Sequence, residues 1–150
     1  LLRTGHESPQ DDPDALADPG ARHVRSLADL PVILDSARAA GLRVHQDLDL
    51  DPAALSTPVD AAAYRVIQEA VTNVLRHAEA TTVRVTVRLD ADQLHLEVAD
   101  DGRGAPDEDR PGYGIIGMTE RVRLLGGALS TRSDASGFTV EARMPARLDP

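Results

Sequence analysis

Glu69, Asn73 and His77 recur at intervals of four residues. On an α-helix each such step drifts only about 40°, so the three side chains would form one polar stripe. Arg76 stands beside them. An amide oxygen and a carboxylate suit Mg²⁺ or its bound waters, which take oxygen ligands. A guanidinium and an imidazole suit phosphate oxygens. Asparagine in a helix interior costs a few tenths of a kcal/mol or more relative to alanine. A second block, Asp100-Asp101-Gly102-Arg103-Gly104, follows a run of alternating polarity. Its glycines let the backbone turn tightly and approach a flat ligand. A carboxylate there can accept the amino hydrogens of adenine, whereas guanine would turn a carbonyl oxygen towards it. A third block, Gly112-Tyr113-Gly114-Ile115-Ile116-Gly117-Met118, leads into a helical pattern. Free N–H groups at a helix N-terminus can cradle phosphates. Each block alone also fits a plainer role: a solvated helix face, a strand-end turn, a flexible lead-in to a helix. In this order and spacing they suit a magnesium-bound nucleotide, with ATP preferred over GTP.

Composition narrows the alternatives. With 150 residues, 41% of them apolar, the chain can bury a real core. Aromatic residues are 2%, so Leu, Val, Ile and Ala must fill that core. There is no Cys, which excludes disulfides and thiolate metal sites. The five His include no pair at metal-ligand spacing; His45 and His95 fall on the solvent side of strands. All sixteen basic residues are Arg, which closes the P-loop route to nucleotides because that loop needs Lys. A net charge of −9 argues against nucleic acid as a partner. No apolar stretch is long enough to span a bilayer and no signal peptide is visible.

The elements that must position these blocks follow from periodicity. Residues 1–25 read as a linker or disordered tail, rich in Asp, Pro and Gly, and 26–147 as the domain. Leu30 to Ala40 has helical spacing and Gly41 stops it. Leu42, Val44, Leu48 and Leu50 share the parity of a half-buried strand, interrupted by Gln46. Thr57 as N-cap, Pro58 and Asp60 open a central helix that runs to His77 or Ala78. Its buried face is Ala63, Val66, Ile67, Ala70, Val71, Val74 and Leu75. Val83 to Leu89 and Leu94 to Val98 form a hairpin turning at Asp90-Ala91-Asp92. Ala105 to Gly114 reads as a mobile lid, followed by a helix from Ile115 to Leu125 and a hairpin of Ala128–Ser133 with Phe138–Met144. The fold class expected is α/β: a two-layer α/β sandwich, its mixed, mostly antiparallel sheet carrying helices on one face.

Together the blocks resemble the N, G1 and G2 boxes of the Bergerat (GHKL) ATP-binding fold. More closely they resemble the catalytic domain of NarL-partnered sensor histidine kinases. The run Tyr64–Ala78, the run Gly114-Ile115-Ile116-Gly117-Met118-Thr119-Glu120-Arg121-Val122, Gly126-Gly127-Ala128-Leu129 and Ser136-Gly137-Phe138 carry the likeness, which covers roughly Leu30 to Pro145.

The resemblance implies a protein histidine kinase domain, an ATP-dependent phosphotransferase of a two-component system. It would donate the γ-phosphoryl group of ATP to a His on a separate dimerisation domain. ATP and Mg²⁺ are the implied cofactors; the helical acceptor domain and a downstream response regulator are the implied partners, in the cytoplasm. Asn73 would bind Mg²⁺ and Glu69 would support the metal or its water, and these two are the implied catalytic residues. Arg76 or His77 would touch phosphate. Asp100 would read adenine in a pocket shaped by Gly102 and Gly104. Gly112, Gly114, Ile115, Gly117 and Met118 would belong to the ATP-binding wall and let the lid close. Two departures stand out. The family often has Thr near adenine where this chain has Phe138, and no His here lies in a phospho-acceptor context. Two other readings are an anti-sigma-factor serine kinase-like switch and a non-enzymatic ATP-responsive interaction module.

Overall fold

The computed structural model describes residues 24–77, 79–102 and 112–148, with the side chains of residues 77, 112 and 113 left aside. Chain order is α1 (Leu30–Ala39), β1 (Arg43–Asp49), α2 (Thr57–His77), β2 (Thr82–Asp90), β3 (Gln93–Asp100), α3 (Gly112–Leu124), β4 (Ala128–Asp134) and β5 (Gly137–Pro145). A 3-10 turn, Leu27–Asp29, leads into α1. Ser26 and Asp29 form a capping box there, each side chain accepting from the other end of the turn.

The five strands form one sheet in the order β1-β2-β3-β5-β4. β1 and β2 run parallel, as a crossover through α2 requires, and every other pair is antiparallel. Val83, Val85 and Val87 of β2, Leu94, Leu96 and Val98 of β3, and Val140, Ala142 and Met144 of β5 alternate inward and are buried. Their neighbours Arg84, Arg88, Glu141 and Arg143 face solvent, so the helices cover one face only. The expected two-layer arrangement is what the chain adopts.

α2 is the centre of the helix layer, in contact with α1, with α3 and with the inner sheet face. That position explains why its burial spans a wide arc: Val59, Ala62, Ala63, Tyr64, Val66, Ile67, Ala70, Val71 and Val74 are all buried. Fully burying a residue such as Ile67 is worth roughly 1.5–3 kcal/mol. The core is aliphatic as composition requires, with Tyr64 and Phe138 its aromatic members among the described residues.

Three details differ from the sequence-based expectation. Leu75 is 42% exposed, because it falls in the last turn of α2, whereas the buried arc closes at Val74. Leu48 is also 42% exposed. It lies in the edge strand β1, where α1 is the main helix overhead, while Leu42, Val44 and Leu50 are half-buried. Thr57 is the first residue of α2 and not its cap. Asp60 accepts from the backbone N–H of Leu27 at 2.8 Å, which ties the start of the fold to α2.

Turns behave as their residues dictate. Gly41 follows α1 at φ 105°, a left-handed value that glycine tolerates. Ala91 and Asp92 alone separate the paired residues Asp90 and Gln93, and Ala91 takes φ 56° to make so tight a hairpin.

Candidate nucleotide site

The site grows from the end of β3. Asp100 is inward-facing by strand parity and only 7% exposed. Its Oδ1 accepts from the backbone N–H of Gly102 at 2.9 Å, so the carboxylate itself shapes the glycine turn. Two neighbours hold this strand end. The first is Asp101, whose carboxylate accepts from the backbone N–H groups of Thr81 and Thr82, each at 2.9 Å, and from the Thr81 hydroxyl at 2.7 Å. Those bonds, the Thr81 hydroxyl foremost, hold the Asp101 carboxyl below its ordinary value. The second is Gly137, at φ 142° in the register position before Phe138, which pairs with Asp100. A Cβ at residue 137 would collide with the Asp100 carbonyl oxygen. Phe138, where the family often has Thr, is itself buried beside Asp100 on the inner face.

The second wall is α2. Glu69 is half-buried, and Asn73, one turn on, is 8% exposed. Among the described residues the Asn73 amide has no hydrogen-bond partner, although an unsatisfied buried amide costs about 1–3 kcal/mol. Arg76 lies exposed in the last turn. The helical stripe of Glu69 and Asn73 is therefore present, and the side chain of His77 lies outside the described residues.

The third block corrects an expectation. α3 begins at Gly112, three residues before the Ile115 start read from the sequence. Gly114 and Gly117 are thus helical, and the amide of Gly117 is too far along to belong to an open N-terminal cradle. Gly114 faces Glu69, and a methyl at 114 would push the Glu69 carboxylate aside. A Cβ at Gly117 would meet nothing within 4 Å, so packing does not call for a glycine that weakens the helix by roughly 0.5–1 kcal/mol. Ile115 is half-buried and Met118 is buried at 3% exposure. Gly104 and the expected lid up to residue 111 lie outside the described residues.

Between α2 and α3 runs a cleft of about 110 Å³, lined by Arg65, Glu69, Gly114, Gly117, Met118 and Arg121. It gathers four of the expected residues. The two arginines were missed by sequence reading, yet both follow from helical spacing: Arg65 precedes Glu69 by four and Arg121 follows Gly117 by four. A larger hollow of about 380 Å³ sits on the open sheet face beside His95, Ser130, Glu141 and Arg143. It brings together none of the expected site residues.

No cluster of three acidic or imidazole side chains able to hold a metal occurs among the described residues. Mg²⁺ does not require such a cluster, since it is commonly held by one or two protein oxygens and by substrate phosphates. The oxygens of Asn73 and Glu69, one helical turn apart, are of the type that could hold such an ion.

A strand-end carboxylate on a glycine turn and a polar helix stripe thus stand in one two-layer sandwich, and the fold has known relatives. The chain belongs to the histidine kinase-, DNA gyrase B- and HSP90-like ATPase family, whose model matches residues 59–148. Among the relatives it matches are sensor histidine kinases. It is 42% identical over 79 residues to the sensor histidine kinase YvfT of Bacillus subtilis (53% of this chain, 21% of that protein). It is 37% identical over 108 residues to the signal transduction histidine-protein kinase/phosphatase UhpB of Salmonella typhimurium (71% and 21%). The chain therefore spans about a fifth of the length of these two relatives. Among solved structures, the Erythrobacter litoralis EL346 blue-light activated histidine kinase domain superposes with a TM-score of 0.63 at 22% identity (77% of this chain, 60% of that one). The mycobacterial sensor histidine kinase MprB gives 0.57 at 16% identity (80% and 96%). At these identities the structures speak to the fold.

Proposed function

We propose that this chain is the ATP-binding catalytic domain of a sensor histidine kinase that acts on a His of a separate helical domain and serves a NarL-type response regulator. The observation that carries the reading is Asn73: a buried amide with no hydrogen-bond partner among the described residues, four residues before the end of α2 and in line with Glu69. A helix keeps so unfavourable a residue when a ligand satisfies it.

In this reading Asp100 accepts the exocyclic amino group of adenine, and Gly102 leaves room for the ring. Asn73 and Glu69 hold Mg²⁺ or its waters, and the ion, when bound with the nucleotide, neutralises phosphate charge. Arg76 and His77 remain the expected phosphate contacts at the end of α2. Gly114, in the first turn of α3, lies against Glu69, so a nucleotide entering there would have to share or shift that contact. The chain's part in transfer is to orient ATP and stabilise charge, since the nucleophile comes from the partner domain. In this reading Ile116 and Leu124 of α3, 65% and 76% exposed, would meet that partner. Among the described residues no helix is long and apolar enough to cross a membrane. A cytoplasmic location follows from the need for ATP.

Labelled ATP tests the division of labour. The chain alone should bind ATP and acquire negligible acid-labile phosphate; with the helical acceptor domain of its own kinase, tethered or free, phosphohistidine should form on that domain. Strong labelling of the isolated chain would overturn the reading. A binding switch without phosphotransfer would instead bind ATP and leave the acceptor unlabelled.

A further inference from the structure

We propose that Arg65 and Arg121 form a seat for the terminal phosphoryl group, through which the domain tells ATP from ADP. The inference rests on the nucleotide reading above and adds two residues to it.

The argument begins with the size of the cleft. At about 110 Å³ it is too small for a nucleoside triphosphate and suits one phosphoryl group with water. Its walls then decide what it can hold. Arg65 and Arg121 line it from two different helices, with the Glu69 carboxylate between the same walls. Two guanidiniums around one small space offer paired N–H donors in fixed planes, which match the oxygens of a phosphoryl group. The lone carboxylate would repel such a group unless a cation lay against it, and Glu69 is the residue assigned to the metal side. The glycines supply the remaining condition. Gly114 and Gly117 bare the backbone of α3 on this side, and Gly117 has no packing reason to be glycine. Small residues at that wall let a charged ligand approach the helix closely.

Position along α2 gives the order of contacts. Arg65, Glu69 and Asn73 are one helical turn apart in succession, about 6 Å per step. With Asn73 on the polyphosphate, Arg65 lies two turns further towards the cleft, where a terminal group projects and a diphosphate falls short. Arg121 meets the same space from across the cleft.

Calorimetry on the 150-residue chain with Mg²⁺, comparing ADP with the β,γ-imido analogue of ATP, tests this. Arg65→Gln and Arg121→Gln should each weaken the analogue about tenfold or more while changing ADP less than about threefold. Arg65→Lys and Arg121→Lys, which keep the charge without the planar fork, should fall between. Arg123→Gln serves as the charge-matched control: Arg123 is on α3 too, outside the cleft, in an ion pair with Glu120 at 3.2 Å. It should move both nucleotides alike and little. Equal losses for analogue and ADP, or no loss, would overturn the inference while leaving the nucleotide site standing. A wild-type chain that binds neither nucleotide would instead remove the reading beneath it. Circular dichroism of each variant separates lost folding from lost recognition.

Discussion

The two ends of the proposed nucleotide site are built on opposite terms. The base-reading end is tied into the sheet: Asp100 pairs with Phe138 in register, Asp101 takes three bonds from Thr81 and Thr82, and Gly137 packs against the Asp100 carbonyl. The proposed phosphate end is framed by two helices and is locally unfavourable, with an amide at Asn73 that has no partner among the described residues and helical glycines at 114 and 117. A fused-ring base has one shape and one hydrogen-bonding edge, so a rigid socket discriminates it. In the proposed function a polyphosphate with its metal would enter, transfer a group and leave, so residues around it would be kept for ligand contact at a cost to local stability.

The sharpest way to break this contrast is at Gly137. Its φ of 142° and its contact with Asp100 leave no room for a side chain. Gly137→Ala should destabilise the fold by about 2–4 kcal/mol, read from chemical denaturation. A neutral result would mean that the sheet end is not the rigid partner. Asp100→Ala comes next. It should weaken adenine-nucleotide binding by about 1–3 kcal/mol and erase the preference for ATP over GTP. Equal ATP and GTP affinity in the wild type would remove the basis of that expectation.

The opposite sign is expected at the phosphate end. Asn73→Ala removes a buried amide without a partner and raises helix propensity, so the empty domain should gain about 0.5–1 kcal/mol. Mg-dependent binding of ATP should fall sharply in the same variant while adenosine binding is kept. Gly117→Ala should likewise stabilise α3. If Asn73→Ala destabilises the empty domain, its amide has a structural partner and the contrast drawn here is wrong.

How much of this was legible in the sequence differs between the two ends. The strand-end carboxylate, the glycine turn and both hairpins could be read because strand alternation and turn chemistry are local. So could the stripe of Glu69 and Asn73, which needs only the helical period. The clamp by Asp101 was not legible, since it joins residues 19 and 20 positions apart in sequence. Arg65 and Arg121 were hidden for a similar reason: each looks like an ordinary solvated arginine until the α2–α3 packing puts them on one cleft. The start of α3 was misplaced because glycine propensity argues against helix, and contact with α2 overrides it at Gly114. Leu75 and Leu48 fit the period of a buried face but sit where the covering element ends, which periodicity alone does not report.

The smallest effect concerns pH, and it separates the clamp from an unrelated acid turn. Asp101 has its folded carboxyl held below the ordinary value, chiefly by the Thr81 hydroxyl and then by the Thr82 amide. A group depressed in this way stabilises the fold above its unfolded pKa, about 4. That contribution is lost as pH falls from about 4 through the lower folded value. Stability in this window should therefore decline with acid, modestly, because Asp101 is exposed and water screens its bonds. Asp134 behaves in the same direction, held down by the hydroxyl and amide of Ser136 in the β4–β5 turn. Denaturation midpoints between about pH 3 and 6 should thus be less steep in acid for both Asp101→Asn and Asp134→Asn. Only Asp101→Asn should also change adenine recognition, since Asp101 adjoins Asp100 and anchors its strand end to β2, while Asp134 is tied to its own hairpin. If the two variants alter the acid response and leave nucleotide affinity equally untouched, the Asp101 bonds stabilise the sheet without positioning the base-reading carboxylate. If Asp101→Asn alone lowers the ratio of ATP to GTP affinity, the rigid end of the site extends through the clamp to Thr81 and Thr82.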